Sequence, residues 1–299
     1  MKSLRWLKAL SLVAILSVAV CWYVLPRTII TPRRIHAAHV SPDAQTPIQH
    51  LEIEGVGGIL LSGILVEPAG EAQANIILLH GISGSKEKQL GFGLRLAQRG
   101  IRALVVDHRA HGTSEGTYCT YGFYEKQDVS LWVEKMEALY PDESIGVWGH
   151  SLGGAIATQT LAIDQRLDFG IIESAFADLP TIVNDYQARI FGFPLPFIAA
   201  WSLDRAGEVA AFDPQLVSPA TDAKEIIQPV LVVHGDADLH ISAEYGKRIY
   251  EAIPHSRKAW IPIEGASHYD VQKVGGQPYF DRLVAFILSH RATQVYSAP

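Results

Sequence analysis

Ile145-Gly146-Val147-Trp148-Gly149-His150-Ser151-Leu152-Gly153-Gly154, running on into Ala155 to Leu161, decides the fold. Four almost wholly apolar residues suit a strand buried on both faces, and the run from Ala155 is helix-compatible. Between them a serine sits with glycine two residues to either side. That spacing suits a sharp strand-to-helix turn, where larger neighbours would clash and the serine hydroxyl is exposed above a sheet. The following helix points its N-terminus at the serine, so partial positive charge faces any developing oxyanion.

Working outward, short apolar runs recur at Ile76 to Leu79, Ile101 to Val106, Phe169 to Ile172 and Val230 to Val233. Helical spacing separates some of them. Val129, Trp132, Val133, Met136 and Tyr140 share one face, as do Tyr245, Ile249, Ala252 and Ile253, with Ser242 as N-cap. Strands alternating with helices predict an α/β fold: a mostly parallel sheet with helices on both faces and its ligand site at the strand C-termini. Ahead of it, Leu51 to Val56 and Ile59 to Val66 read as a hairpin turned at Gly57-Gly58.

A serine hydroxyl needs a base, and the base needs an orienting carboxylate. In this topology they follow in the order Ser, Asp/Glu, His. After Val230 to Val233 come His234-Gly235-Asp236-Ala237-Asp238, and after Ala259 to Ile263 come Gly265-Ala266-Ser267-His268. Of twelve histidines, His268 alone combines this order with a loop after the last strand. Asp238 is the preferred acid, although spacing alone leaves Asp236 open. The loop His80-Gly81-Ile82-Ser83-Gly84 offers the amide of Ile82, which pairs with that of Leu152 as an oxyanion hole. His80, Asp107, Arg109 and His111 read as loop-fixing residues and Asp128, on the following helix, as structural; Glu173 could line the site, with a solvated loop acid the preferred reading.

The fifty-five residues between Glu173 and Pro229 exceed an ordinary connection. Phe191, Phe193, Leu195, Phe197, Ile198 and Trp201 make that stretch apolar, with Pro194 and Pro196 as helix breakers. It is expected to form a small helical cap over about 177–222, serving either as a greasy acyl pocket or simply as packing.

The N-terminus differs in kind. Lys2, Arg5 and Lys8 precede the charge-free run Ala9 to Leu25, which ends near Trp22 and Tyr23. At seventeen residues the run is just long enough to cross a hydrocarbon core of ~30 Å. It is expected to be an uncleaved signal anchor over 1–25, a single-pass transmembrane helix with the catalytic domain outside the cytoplasm. Residues 26–48, with Pro26, Pro32, Pro42 and Pro47, read as an extended linker to the domain at 49–299.

The formal net charge of −6 argues against a nucleic-acid partner. Two cysteines, with no Cys/His zinc spacing, give neither a disulfide scaffold nor a metal site. No phosphate-cradling motif occurs, so no cofactor is expected.

Taken in order, His80-Gly81, Asp107 to Ser114, Gly149 to Gly154, His234 to Asp238 and Gly265 to His268 resemble the α/β-hydrolase-fold serine hydrolases over residues from about 50 to 290. Ser114-Glu115-Gly116, Phe212-Asp213-Pro214 and Ser218-Pro219, with the N-terminal run, are similar to membrane-anchored esterase, thioesterase and lysophospholipase-like members. The resemblance implies Ser151 as nucleophile, Asp238 as acid, His268 as base and the amides of Ile82 and Leu152 as oxyanion donors. The expected activity is cleavage of a small or lipid-like acyl ester or thioester through an acyl-enzyme. The competing readings are an amidase or peptidase using the same residues, and a non-catalytic interaction protein on the same fold.

Overall fold

A computed structural model of the 299-residue chain describes residues 18–35 and 46–290, together with Trp6 and residues 10–12. Eight strands form one sheet: β1 (Ile48–Glu54), β2 (Leu60–Val66), β3 (Ala74–Leu79), β4 (Ile101–Val106), β5 (Ile145–His150), β6 (Phe169–Glu173), β7 (Val230–Gly235) and β8 (Lys258–Ile263). Their spatial order is β1-β2-β4-β3-β5-β6-β7-β8. Only β1/β2 and β2/β4 pair antiparallel; the other five pairings are parallel. The β1–β2 hairpin turns where both Gly57 and Gly58 have positive φ, 84° and 75°. An L side chain resists that conformation twice in succession.

The period of two along the central strands separates two cores. Ile77, Leu79, Val147 and Ile172 face one layer with Trp132, Met136, Ile156 and Ile249. Ile76, Leu78, Trp148 and Ile171 face the other with Leu90, Leu96, Phe280 and Leu283. The helices, in chain order, are α1 (Leu25–Ile30), α2 (Lys86–Ala97), α3 (Glu125–Leu139), α4 (Leu152–Ile163), α5 (Leu179–Phe191), α6 (Pro196–Ala210), α7 (Pro219–Asp222), α8 (Ala243–Ala252) and α9 (Val271–Ser289). Helices α2 and α9 cover the second core, and α3, α4 and α8 the first. The predicted helical face of α3 is the buried one, as is that of α8, where Ser242 caps the amide of Glu244.

Helices α5, α6 and α7 occupy the insertion between β6 and β7. Their boundary differs from the sequence expectation. The stop of α5 is Gly192, in the left-handed conformation at φ 79°. Pro196 instead opens α6, where a missing N–H costs nothing.

Among the described residues no helix is long and apolar enough to cross a membrane. Much of the run Ala9–Leu25, expected to be the anchor, lies outside the described residues. What is described of its end is a π-helical turn, Val20–Val24, continuing into α1. Residues 26–30, the start of the expected linker, are helical and not extended. Pro26 stands at the first turn of α1, and Ile30 is wholly buried in the first core.

Candidate active site

Ser151 stands between β5 and α4 with φ 58° and ψ −118°, a strained conformation for a residue with a side chain. The glycines around it are close-approach sites. A Cβ on Gly149 would lie 2.0 Å from the carbonyl oxygen of Gly153, and one on Gly153 would lie 2.1 Å from that of Leu79. The Ser151 amide donates to the Glu173 carbonyl at 2.8 Å, which holds the turn against β6.

Parallel pairing then brings the ends of β7 and β8 to the same edge. His268 Nε2 lies 2.9 Å from Ser151 Oγ, and His268 Nδ1 lies 2.7 Å from Asp238 Oδ2. Since the carboxylate only accepts, Nδ1 carries the proton and Nε2 is left to accept from the serine hydroxyl. Asp238 Oδ1 accepts the amides of His240 and Ile241, each at 2.8 Å. His234 lies beneath, with Nε2 3.4 Å from Asp238 Oδ2 and donating to the Ile241 carbonyl at 2.8 Å. Burial pushes the Asp238 carboxyl up, but the hydrogen bonds from His234, His268 and the Ile241 amide outweigh it and hold the group well below the carboxylate range. Burial lowers the His268 imidazole, as do the nearby His150 and His240, against the opposing pull of Asp238. Asp236 is engaged elsewhere: its Oδ1 accepts the Gly265 amide at 2.7 Å and fixes the turn that carries His268.

On the other side, the loop after β3 passes so close that a Cβ on Gly81 would lie 3.2 Å from Ser151 Cβ. Ile82 and Leu152 both border the cleft that contains Ser151. Leu152 opens α4, so its amide is among the first-turn N–H groups that no carbonyl within the helix satisfies. His80 props this loop from below, with Nδ1 2.8 Å from the Gly81 carbonyl oxygen. Its ring is edge-on to His108, 4.4 Å between centroids. Burial, with His111 nearby, brings His80 down to about 4. Burial likewise brings His111 down to about 4 and His108 well below its ordinary value. Asp107 accepts the Lys86 amide, the Lys86 ammonium and the Thr113 amide at 2.7, 2.6 and 2.9 Å. Arg109 grips Asp128 with two bonds of 2.7 and 2.8 Å.

The cleft measures about 430 Å³, within the usual size for a small-ligand site. Phe176, Leu179, Ile182, Val183 and Tyr186 line it from the cap side.

Residues 70–209 match the family model described as serine aminopeptidase, S33. The uncharacterised YqkD of Bacillus subtilis is 30% identical over 201 residues, covering 64% of this chain. The chain spans 63% of that relative's length. YfhR of Escherichia coli K12, also uncharacterised, is 25% identical over 91% of this chain and 92% of its own. The esterase Pf2001 of Pyrococcus furiosus superposes with a TM-score of 0.69 at 21% identity, over 87% of this chain and 99% of that one. The chain has the α/β-hydrolase fold.

Two sequence readings change in the structure. Glu173 is not a solvated loop acid: it is 1% exposed. It accepts from Tyr279 Oη and lies 3.0 Å from His150 Nδ1. The reason is topological, because β6 is an interior strand and its last residue pairs with β7. Phe193 and Phe197 are 57% and 89% exposed and lie off the cleft, whereas Phe191 and Ile198 line it. Sequence reasoning also passed over His150, His234 and, on the N-terminal helix, Leu25, Thr28 and Ile29, which border the cleft. The first two fall inside quoted motifs; nothing local marked the last three.

Proposed function

We propose that this hydrolase cleaves carboxylic esters or thioesters of apolar acyl groups through an acyl-enzyme formed on Ser151. The observation that carries this is the unbroken chain from Ser151 Oγ through His268 to Asp238 at the floor of an apolar cleft. Ser151 Oγ attacks the acyl carbonyl carbon while its proton passes to His268 Nε2. Asp238 holds the Nδ1 proton and stabilises the imidazolium. The amides of Ile82 and Leu152 take the negative charge that forms on the carbonyl oxygen, each such donor contributing ~3 kcal/mol. The imidazolium returns its proton to the leaving oxygen or sulfur as that bond breaks, and water repeats the sequence to free the acid.

The matched family's description, serine aminopeptidase, favours an amide-cleaving alternative. An aminopeptidase binds a substrate ammonium beside the scissile bond, which in a closed site calls for a counter-charge. The described residues lining this cleft are all uncharged, and that supports the ester reading. We further propose that the part of the run Ala9–Leu25 upstream of Trp22 holds the chain at a membrane, with the catalytic domain on the extracytoplasmic side. Resistance to alkaline carbonate extraction, and accessibility to protease added outside sealed cells, test that proposal.

The decisive experiment for the chemistry is labelling with a fluorophosphonate. The wild-type protein takes the label at Ser151 and hydrolyses short esters faster than the matching anilides, whereas Ser151→Ala does neither. Full labelling of the alanine variant overturns the nucleophile assignment, and a preference for anilides over esters overturns the substrate class.

A further inference from the structure

One wall of the cleft comes from neither the sheet nor the cap. Leu25, Thr28 and Ile29, all on α1, border the same cleft as Ser151 and Leu152. Steps of three and four residues place them on a common helix face. Pro26 and Ile30 occupy another face and are buried, Ile30 in the core that contains Leu79 and Leu104. The position of this helix is set by what holds it.

The attachments are specific and lie on both sides of the nucleophile. The Cys119 amide donates to the Ile30 carbonyl at 2.8 Å, and Tyr121 Oη to the Ile29 carbonyl at 2.5 Å. Tyr121 itself lines the cleft. The Arg33 amide donates to Ser83 Oγ at 3.1 Å, beside the oxyanion-loop residue Ile82. The Arg34 guanidinium donates to the carbonyls of Gly112, Ser114 and Gly116 at 3.0, 2.5 and 2.6 Å. Upstream, Trp22 packs on Trp201 of α6 with 5.5 Å between ring centroids, and Arg205 lies 4.7 Å over the Trp22 ring. Thr28 gives its hydroxyl to the Leu25 carbonyl at 2.7 Å, so it adds no free donor to the wall.

We propose that α1 is a specificity-determining wall of the acyl cleft. The side chains at 28 and 29 set how long an unbranched aliphatic acyl group can lie beside Ser151. The proposal rests on the serine-hydrolase reading and deepens it by assigning part of substrate selection to the N-terminal segment. Bulk added at 28 shortens the space, and bulk removed at 29 extends it. Excluding two methylenes of the acyl chain from the cleft costs about tenfold in kcat/KM.

The test uses the full chain: wild type, Thr28→Trp, Thr28→Leu and Ile29→Ala. Their kcat/KM values are measured on p-nitrophenyl esters of two to twelve carbons, with fluorophosphonate labelling and melting temperature alongside. Thr28→Trp is expected to lower the ratio of octanoate to acetate turnover about tenfold, with Thr28→Leu moving it less in the same direction. Ile29→Ala is expected to shift the optimum to longer chains. Ratios within about twofold of wild type in all three folded and labelled variants overturn the wall while leaving the serine-hydrolase reading intact. A wild-type protein that neither labels nor hydrolyses any ester overturns that reading itself, and the wall with it. Thr28 is exposed at the surface of α1, so its substitutions leave the buried side of the helix untouched.

Discussion

The floor and the roof of the cleft are built on opposite principles. Below Ser151 the side chains that reach it are held by partners at hydrogen-bond distance: His268 by Asp238, Asp238 by two amides, the following turn by Asp236. Above it, Leu179, Ile182, Val183, Ile190 and Phe191 present apolar surface, and Ile190 and Phe191 are largely exposed at its rim. Hydrogen bonds are directional and fail when one partner moves. Apolar contacts are non-directional and tolerate exchange of volume. On the proposed function, the floor carries chemistry that permits little change, and the roof carries selection that can be retuned one side chain at a time.

The largest effect that sharpens this contrast lies in two carboxylates of one loop. Asp238→Asn is expected to lower kcat by about 10⁴, as in other triads whose acid can no longer hold the imidazole tautomer. Asp236→Asn, which loosens only the Gly265 turn, is expected to cost less than about tenfold. Steady-state hydrolysis of one short ester by both variants measures the difference, and the reverse ranking moves the acid to 236.

Next comes pH, where the floor responds through two separate sets of histidines. Burial keeps His268 below its ordinary value, so kcat/KM rises with pH through a midpoint below ~6.5 and is level above it. His80 and His111 are held at about 4, whereas the unfolded chain titrates near ~6.5. Between those values the unfolded state binds protons that the folded state refuses. Stability is thus complete above ~6.5 and is lost as pH falls toward 4. Urea midpoints at pH 7 and pH 5 are expected to differ, and the difference is expected to shrink in His111→Gln.

The smallest effects belong to the roof. Phe191→Ala is expected to shift the ester chain-length optimum toward longer or bulkier acyl groups by a few-fold in relative kcat/KM, the size of one pocket contact. Phe197→Ala, at a side chain 89% exposed, is expected to leave both the profile and the melting temperature within error. Equal shifts in the two variants break the distinction between lining and surface positions on α5 and α6.

The same contrast explains what could be read in advance. Ser151 and its glycines were legible because the constraint is local: the backbone around one turn leaves no room for a Cβ. His268 was legible from strand order. The choice between Asp238 and Asp236 was not, since two residues of spacing do not reveal which carboxylate meets His268 Nδ1 and which meets the Gly265 amide. Glu173 was misjudged because a residue at a strand end is exposed or buried according to its neighbours in the sheet, and those are set by topology. The roof was least legible of all. An apolar run such as Phe191 to Trp201 has the same composition whether a given ring faces the cleft or water. In α1, nothing local pairs Ile29 with Tyr121, ninety-two residues away.

The docking of α1 has a thermodynamic consequence. A ligand that gains contacts with Leu25, Thr28 and Ile29 binds more tightly when that segment is seated, and by the same factor the segment seats more firmly when the cleft is full. Occupancy of the cleft and retention of the N-terminal segment are two sides of one linked equilibrium. Whatever pulls on the chain upstream of Leu25 therefore pulls on affinity at Ser151.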